Sequence, residues 1–203
     1  MRRTVFWLMA LGSVAVAGYA LWAYLAMEPG STVHPRMREV YRVERVGILV
    51  HVICSAIALA LGPAQFVGGL RAARLRLHRV LGRVYLFAGV LPGGLAGLYM
   101  AFHSFGGMAA HTGFAVGSVV WLVSAAMALR AALRRDFASH RAWMIANFAL
   151  TFAAVTLRLQ LGLCALAGLR FETFYPWLAW TSWVPNLFAA WLLARAQGQS
   201  RSV

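Results

Sequence analysis

The sequence contains no lysine, only five acids and only two cysteines, and each shortage rules something out. Cys54 and Cys164 sit inside apolar runs without CxxC spacing, so neither a disulfide framework nor a zinc site is indicated. The acids are Glu28, Glu39, Glu44, Asp136 and Glu172, which leaves the 19 arginines with a net charge of +14. No hydrolase motif, phosphate-binding Gly-rich loop or zinc-protease helix is present. The arginines lie between apolar runs and not on one basic face, so membrane topology accounts for them and no nucleic-acid partner is expected. What the chain has in quantity is apolar surface. Of 203 residues, 62% are hydrophobic, and the mean hydropathy is +0.70. That is far above a soluble domain's composition, so the excess must face lipid.

Six apolar runs approach the roughly 20 residues that crossing a bilayer takes. They cover about 5–26, 46–67, 79–101, 111–130, 141–165 and 174–195. The expected fold is all-α: a polytopic membrane protein, a six-transmembrane-helix bundle forming one integral membrane domain over 1–203. The first run contains Ala15-Val16-Ala17, which resembles a signal-peptidase cut, but it continues to Met27 and reads as an uncleaved anchor. Pro29, Gly30 and Pro35 break any helix early in the polar segment that follows, and His34 there is expected to be solvated. In the sixth run, Pro185 predicts a kink, and Asn186 beside it is placed to bond a freed carbonyl. Trp177, Trp180, Trp183 and Trp191 suit an interfacial belt, so this run reads as a lipid-facing, kinked helix.

Thirteen arginines fall on one side of this topology: Arg2, Arg3, Arg71, Arg74, Arg76, Arg79, Arg83, Arg130, Arg134, Arg135, Arg141, Arg195 and Arg201. The other side holds Arg36, Arg38, Arg42, Arg45 and Arg170, partly offset by four of the acids. The positive-inside rule therefore puts both termini in the cytoplasm.

Two basic corners organise the chain. LRAARLRLHRVLGRVY at 70–85 is echoed by LRAALRRDFASHRAWM at 129–144. The LRAA element recurs at an offset of 59 and His-Arg at an offset of 62. Runs two and three thus look like runs four and five, a two-hairpin internal repeat.

Run five has the clearest polar face. His140, Asn147, Thr151 and Arg158 fall within about 20° of His140 on a helical wheel, with Met144 and Gly162 extending the stripe. Such groups normally face a bundle interior. The same wheel aligns His78, Gly82, Tyr85, Gly89, Ala96 and His103 on run three. It aligns His51, Ser55, Ala58 and Gly62 on run two, and His111, Ala115, Ser118 and Ala125 on run four. Small residues allow close helix approach, and they equally leave room for a flat cofactor.

The topology places His78 with His140 near one surface and His51 with His111 near the other, His103 being a rival to His111. Two neutral imidazoles facing one another are what axial ligation of a b-type haem requires. Arg79 and Arg141 could meet propionates, and Arg158, about 27 Å along the helix from His140, either snorkels or neutralises an anionic ligand. The same histidines also suit polar helix starts with no ligand at all.

GPAQF, LHRVLGRVYLFAGV and SHRAWMIANFALTFAAVTLRLQL together resemble a family of bacterial multi-pass membrane proteins of unknown function, over about 45–165. Its members commonly have arginine two residues after the Trp-Met pair; here that position is Ala146. The architecture also resembles six-helix dihaem b cytochromes, which pass electrons across membranes from ascorbate-like donors. That resemblance implies His51, His78, His111 and His140 as ligands by helix only, with spacings shorter than that family's and no donor-site motif.

Three functions compete. The first is a haem-binding electron-transfer protein or quinol-linked redox subunit. The second is a haem-free protein binding an anionic lipid or small anion at Arg79, Arg83 and Arg141. The third is a small-solute transporter. The arginine distribution makes a direct prediction. Cysteines introduced at Gly106 and at Asp136 should label from opposite sides of the membrane; labelling from the same side would end the six-helix topology.

Overall fold

The computed structural model describes residues 3–28 and 30–199. Arg2, Pro29 and Arg201, and the side chain of Arg71, lie outside what it describes. Every regular element among the described residues is helical, and the protein is an all-α polytopic membrane protein. The helices divide into two units, 1–105 and 106–203.

Unit one begins with α1 (Arg3–Leu25), followed by the short α2 (Pro35–Val43), α3 (Arg45–Phe66, its last turn 3-10), α4 (Gly68–Ala73) and α5 (Leu75–Ala101). Of these, α1, α3 and α5 are long and apolar enough to span a bilayer. Helix α2 starts at Pro35, whose fixed φ and missing N–H suit a first turn. His34 is not simply solvated. It is half-buried, and its Nδ1 accepts from the N–H of Arg36 as the N-cap. Ala20 of α1, Ile48 and Val52 of α3 and Met100 of α5 form one apolar cluster.

Helix α5 contains a π segment, Val84–Val90, in which the N–H of Leu91 reaches the carbonyl of Leu86. Pro92 explains it: proline has no N–H to give the carbonyl four residues back, and its ring clashes there, so the preceding turn widens. The wide turn rotates everything after it. The face expected to run through Ala96 and His103 instead continues through Gly93, Gly97 and Met100, while Ala96 and His103 are half-buried.

On that face, α3 and α5 touch backbone to backbone. A Cβ on Gly89 would lie 2.9–3.1 Å from Ala58, and one on Gly93 would lie 3.1 Å from the Ser55 hydroxyl. Of the two uses left open for small residues, this helix pair uses close approach.

Unit two holds α6 (Gly107–Leu133), α7 (Phe137–Leu166), α8 (Phe171–Thr181) and α9 (Val184–Gln199). Helices α6 and α7 can span a bilayer, whereas the sixth apolar run is cut into two shorter helices at Ser182-Trp183. The second corner is a tight turn. The N–H of Asp136 reaches Ala131 O and that of Arg135 reaches Ala132 O, with Arg135 at φ 61° where glycine is usual. Helix α7 ends in the same pattern with glycine in place, Gly168 at φ 69°. Asp136 then caps α7, accepting from the N–H of Ser139 at 3.0 Å. Bonding to Ser139 holds its carboxyl below the usual carboxylate range.

The echoed LRAA elements therefore differ in setting. Leu70–Ala73 lies in the separate helix α4, and Leu129–Ala132 in the final turns of α6.

The break in α8–α9 and one in α7 satisfy each other. Pro185 cannot donate to the Thr181 carbonyl, which instead accepts from Gln160 Nε2 of α7 at 3.1 Å. Asn186, expected to serve a carbonyl freed by that proline, bonds Ala149 O at 3.2 Å and Thr156 Oγ1 at 2.9 Å. Those lie on either side of the interruption of α7 at Phe152. Only part of the tryptophan belt faces outward. Trp177 and Trp191 are exposed, while Trp180 and Trp183 pack on α6 at Gly113 and Gly117. A Cβ on Gly113 would meet that of Ala179 at 2.7 Å. The tight contacts of α6 are thus at Gly113 and Gly117, and not along the wheel of His111, Ala115, Ser118 and Ala125, all of which are half-buried.

These contacts separate two glycines on clear grounds. Gly89→Leu should destabilise the protein by about 1–3 kcal/mol or more, because α3 backbone cannot move aside cheaply. Gly162→Leu, with nothing within 4 Å of its Cβ position, should be tolerated. Detergent unfolding monitored by circular dichroism checks both; equal stability of the two variants would contradict the α3–α5 contact.

Candidate functional site

The polar stripe of α7 is buried at Met144, Asn147 and Thr151, as its periodicity predicts, but it is half-buried at His140 and Arg158 and exposed at Gly162, and its buried part is directed at α6. Asn147 is fully buried and donates from Nδ2 to Trp121 O at 2.9 Å and to Ser124 Oγ at 2.8 Å. The Trp121 indole N–H donates to Thr151 Oγ1 at 2.9 Å, and that hydroxyl donates to Asn147 O at 3.0 Å. About two turns of α7 towards the corner, His140 Nδ1 lies 2.9 Å from Ala128 O. Residues 121, 124 and 128 of α6 thus meet residues 151, 147 and 140 of α7 as a ladder. Buried polar groups need such partners, more so where no water reaches.

A carbonyl oxygen can only accept, so the His140 Nδ1 carries the hydrogen and the lone pair of the neutral ring is on Nε2. His51 is held alike in unit one, its Nδ1–H given to Gly93 O of α5 at 2.9 Å. The two are not equivalent in the expected repeat, since His51 corresponds to His111 and His78 to His140. His78, half-buried with a buried Nδ1, lies in the second turn of α5. His111 is half-buried near the start of α6.

His103 is engaged elsewhere. Its Nδ1–H is given to Tyr99 O at 3.0 Å and its Nε2 lies 3.6 Å from Glu44 Oε1. Glu44 also accepts from the Tyr99 hydroxyl at 2.6 Å. With both nitrogens directed at protein groups, His103 is a poorer ligand candidate than its position suggests. Sequence reasoning missed this Glu44–Tyr99–His103 cluster because Glu44 lies 55 residues before Tyr99 and 59 before His103.

Of the candidate arginines, Arg79 and Arg141 are exposed, and Arg158 is half-buried with Nη1 donating to Ala154 O at 3.0 Å. The motifs GPAQF and HRVLGRVY come together. Gln65 is 8% exposed, and its Oε1 lies 3.3 Å from where a Cβ on Gly82 would stand. Its Nε2 has no hydrogen-bond partner among the described residues. Tyr85, on the same face, is fully buried. Gln65 was legible only as part of the quoted motif.

The ladder predicts its own energetics. Asn147→Leu should destabilise by about 1–3 kcal/mol, because the Ser124 hydroxyl and Trp121 carbonyl lose their buried donor. A cycle pairing Trp121→Phe with Thr151→Val should give a coupling of about 0.6–1.7 kcal/mol. Additive effects would show that the 2.9 Å bond contributes nothing.

Residues 48–194 fit a family described as "Predicted membrane protein (DUF2306)". No curated protein and no solved structure matches the chain. The matched stretch takes in both arginine corners, the α6–α7 ladder and the histidines at 51, 78, 111 and 140. With well over half its length matched, this multi-pass membrane protein belongs to the DUF2306 family.

Proposed function

We propose that the protein is a b-type haem protein that transfers electrons, linked to a quinol or another redox carrier. Its place on this reading is the bacterial cytoplasmic membrane, with both termini inside. The observation that carries the reading is the hold on His140 and His51, each giving its Nδ1–H to a carbonyl of the neighbouring helix at 2.9 Å. Metal-ligating histidines are oriented by this kind of bond, which fixes the ring and its tautomer with Nε2 as the donor to the metal.

The residue types suit the group. Bis-imidazole ligation suits a b-type haem, and His51, His78, His111 and His140 are all half-buried on spanning helices. The contacts of Gly89 with Ala58 and of Gly113 with Ala179 leave no room for a macrocycle at those two helix pairs. Bound haem would supply reversible one-electron transfer. The chain's own part is to hold the imidazoles and to keep bulk water from them with apolar helices. The exposed Arg141 and Arg79 are the candidate partners of propionates, and Arg158 of an anionic group at the far end of α7.

Protein purified from cells given ample haem should be red, with a b-type reduced-minus-oxidised spectrum and a low-spin resonance signature. His140→Ala should remove one spectral component and His51→Ala another, with helix content unchanged. His34→Ala, at the α2 cap, should alter neither. A colourless preparation with helices intact would sink the reading.

A further inference from the structure

The first turns of α5 hold more cationic charge than crossing a membrane needs. From 45 to 135 the chain has no acid, and Arg74, Arg76, Arg79 and Arg83 fall within ten residues of one another. All four are exposed, and none is in an ion pair with a described residue. Arg83 uses its Nε on the Arg79 carbonyl, at 3.4 Å. Arg76, Arg79 and Arg83 recur at i, i+3 and i+7, which lines them along one strip of the helix.

The strip also sits at a definite depth. From Val84 onward the exposed side chains of α5 are apolar, including Phe87, Leu91 and Leu95, so Arg83 marks where hydrocarbon begins. Seven residues of helix rise about 10 Å, against a headgroup layer of roughly 5–8 Å on each side of the hydrocarbon core. Leu75, Leu77 and Val80 are exposed between the arginines, so the strip presents apolar surface beside its charge. The other corner is different. Its arginines are divided between the end of α6 and the start of α7, with Asp136 among them.

We propose that the Arg76–Arg79–Arg83 strip of α5 is a binding site for the phosphate of an anionic phospholipid headgroup. Guanidinium forks match phosphate oxygens in pairs, and the apolar residues between them meet the acyl region. The site does not depend on the haem reading and is tested without haem.

The full chain in detergent is titrated with phosphatidylglycerol in mixed micelles, with phosphatidylcholine micelles and inorganic phosphate as comparisons. Phosphatidylglycerol should bind more tightly than phosphatidylcholine, and more weakly as salt rises. At about 1 kcal/mol for each arginine near the surface, Arg76→Gln with Arg83→Gln should weaken it about 25-fold. Arg130→Gln with Arg134→Gln, which removes the same charge from the other corner, should cause a much smaller loss. Equal losses in the two double variants would overturn the proposal, since charge alone would then suffice. So would equal binding of the two lipids. Displacement by inorganic phosphate at the lipid's own concentration would also overturn it, by assigning the strip to a soluble anion.

Discussion

Inside a bilayer there is no water to accept a backbone hydrogen bond, and most of what distinguishes this structure follows from that constraint. Pro92 and Pro185 each withdraw an N–H from a helix in an apolar run, and the chain answers in two ways. At Pro92 the helix repairs itself by widening into a π turn, so that Leu91 serves Leu86. At Pro185 a side chain from another helix intervenes, Gln160 reaching Thr181 O. Asn186 serves the interruption of α7 in return. The breaks of α7 and of α8–α9 are therefore connections, because each ties its helix to the neighbour that supplies the missing group.

Small residues and polar residues divide the remaining work. Glycine brings α3 to α5 close enough for backbone contact and seats the side chains of Ala179 and Trp180 of α8 on α6. Between α6 and α7 a hydrogen-bonded ladder from His140 to Thr151 joins the helices. Lipid is as apolar as leucine, so neither pairing can rely on a hydrophobic driving force; packing and hydrogen bonds must hold both. A histidine at the end of such a ladder has one nitrogen committed to structure. That commitment sets its tautomer, which is the condition for its other nitrogen to act as a ligand.

Much of this was legible in the sequence, within limits that have physical causes. Five continuous spans match five apolar runs, since length and hydropathy alone decide whether a helix can cross. The buried face of α7 was readable because Asn147 and Thr151 stand out among apolar neighbours. Its partner was not, because Trp121 and Ser124 carry no such contrast on α6. The face of α5 was read correctly as far as Gly89 and lost beyond it, since a wheel assumes 3.6 residues per turn and the π segment does not obey that. Pro92 was the available signal. The sixth run was read as one kinked helix, although its proline begins a new one. For the histidines, sequence spacing gave the helix that carries each, but not that His51 and His140 bond across to a neighbouring helix or that His103 is held by Glu44 and Tyr99.

The use of arginine alone for positive charge is consistent with where the charge has to sit. An ammonium group is a strongly hydrated point charge that loses its proton readily when desolvated, whereas a guanidinium stays charged and is more weakly hydrated. Arg158 shows why this matters: it is half-buried within the span of α7, and one arm of its fork reaches the Ala154 carbonyl one turn back. At the head of α5 the same property works in the interface, where Arg83 stands at the edge of the apolar surface and still presents a full charge. A lysine in either place would gain more from retreating to water or shedding its proton than from holding its position.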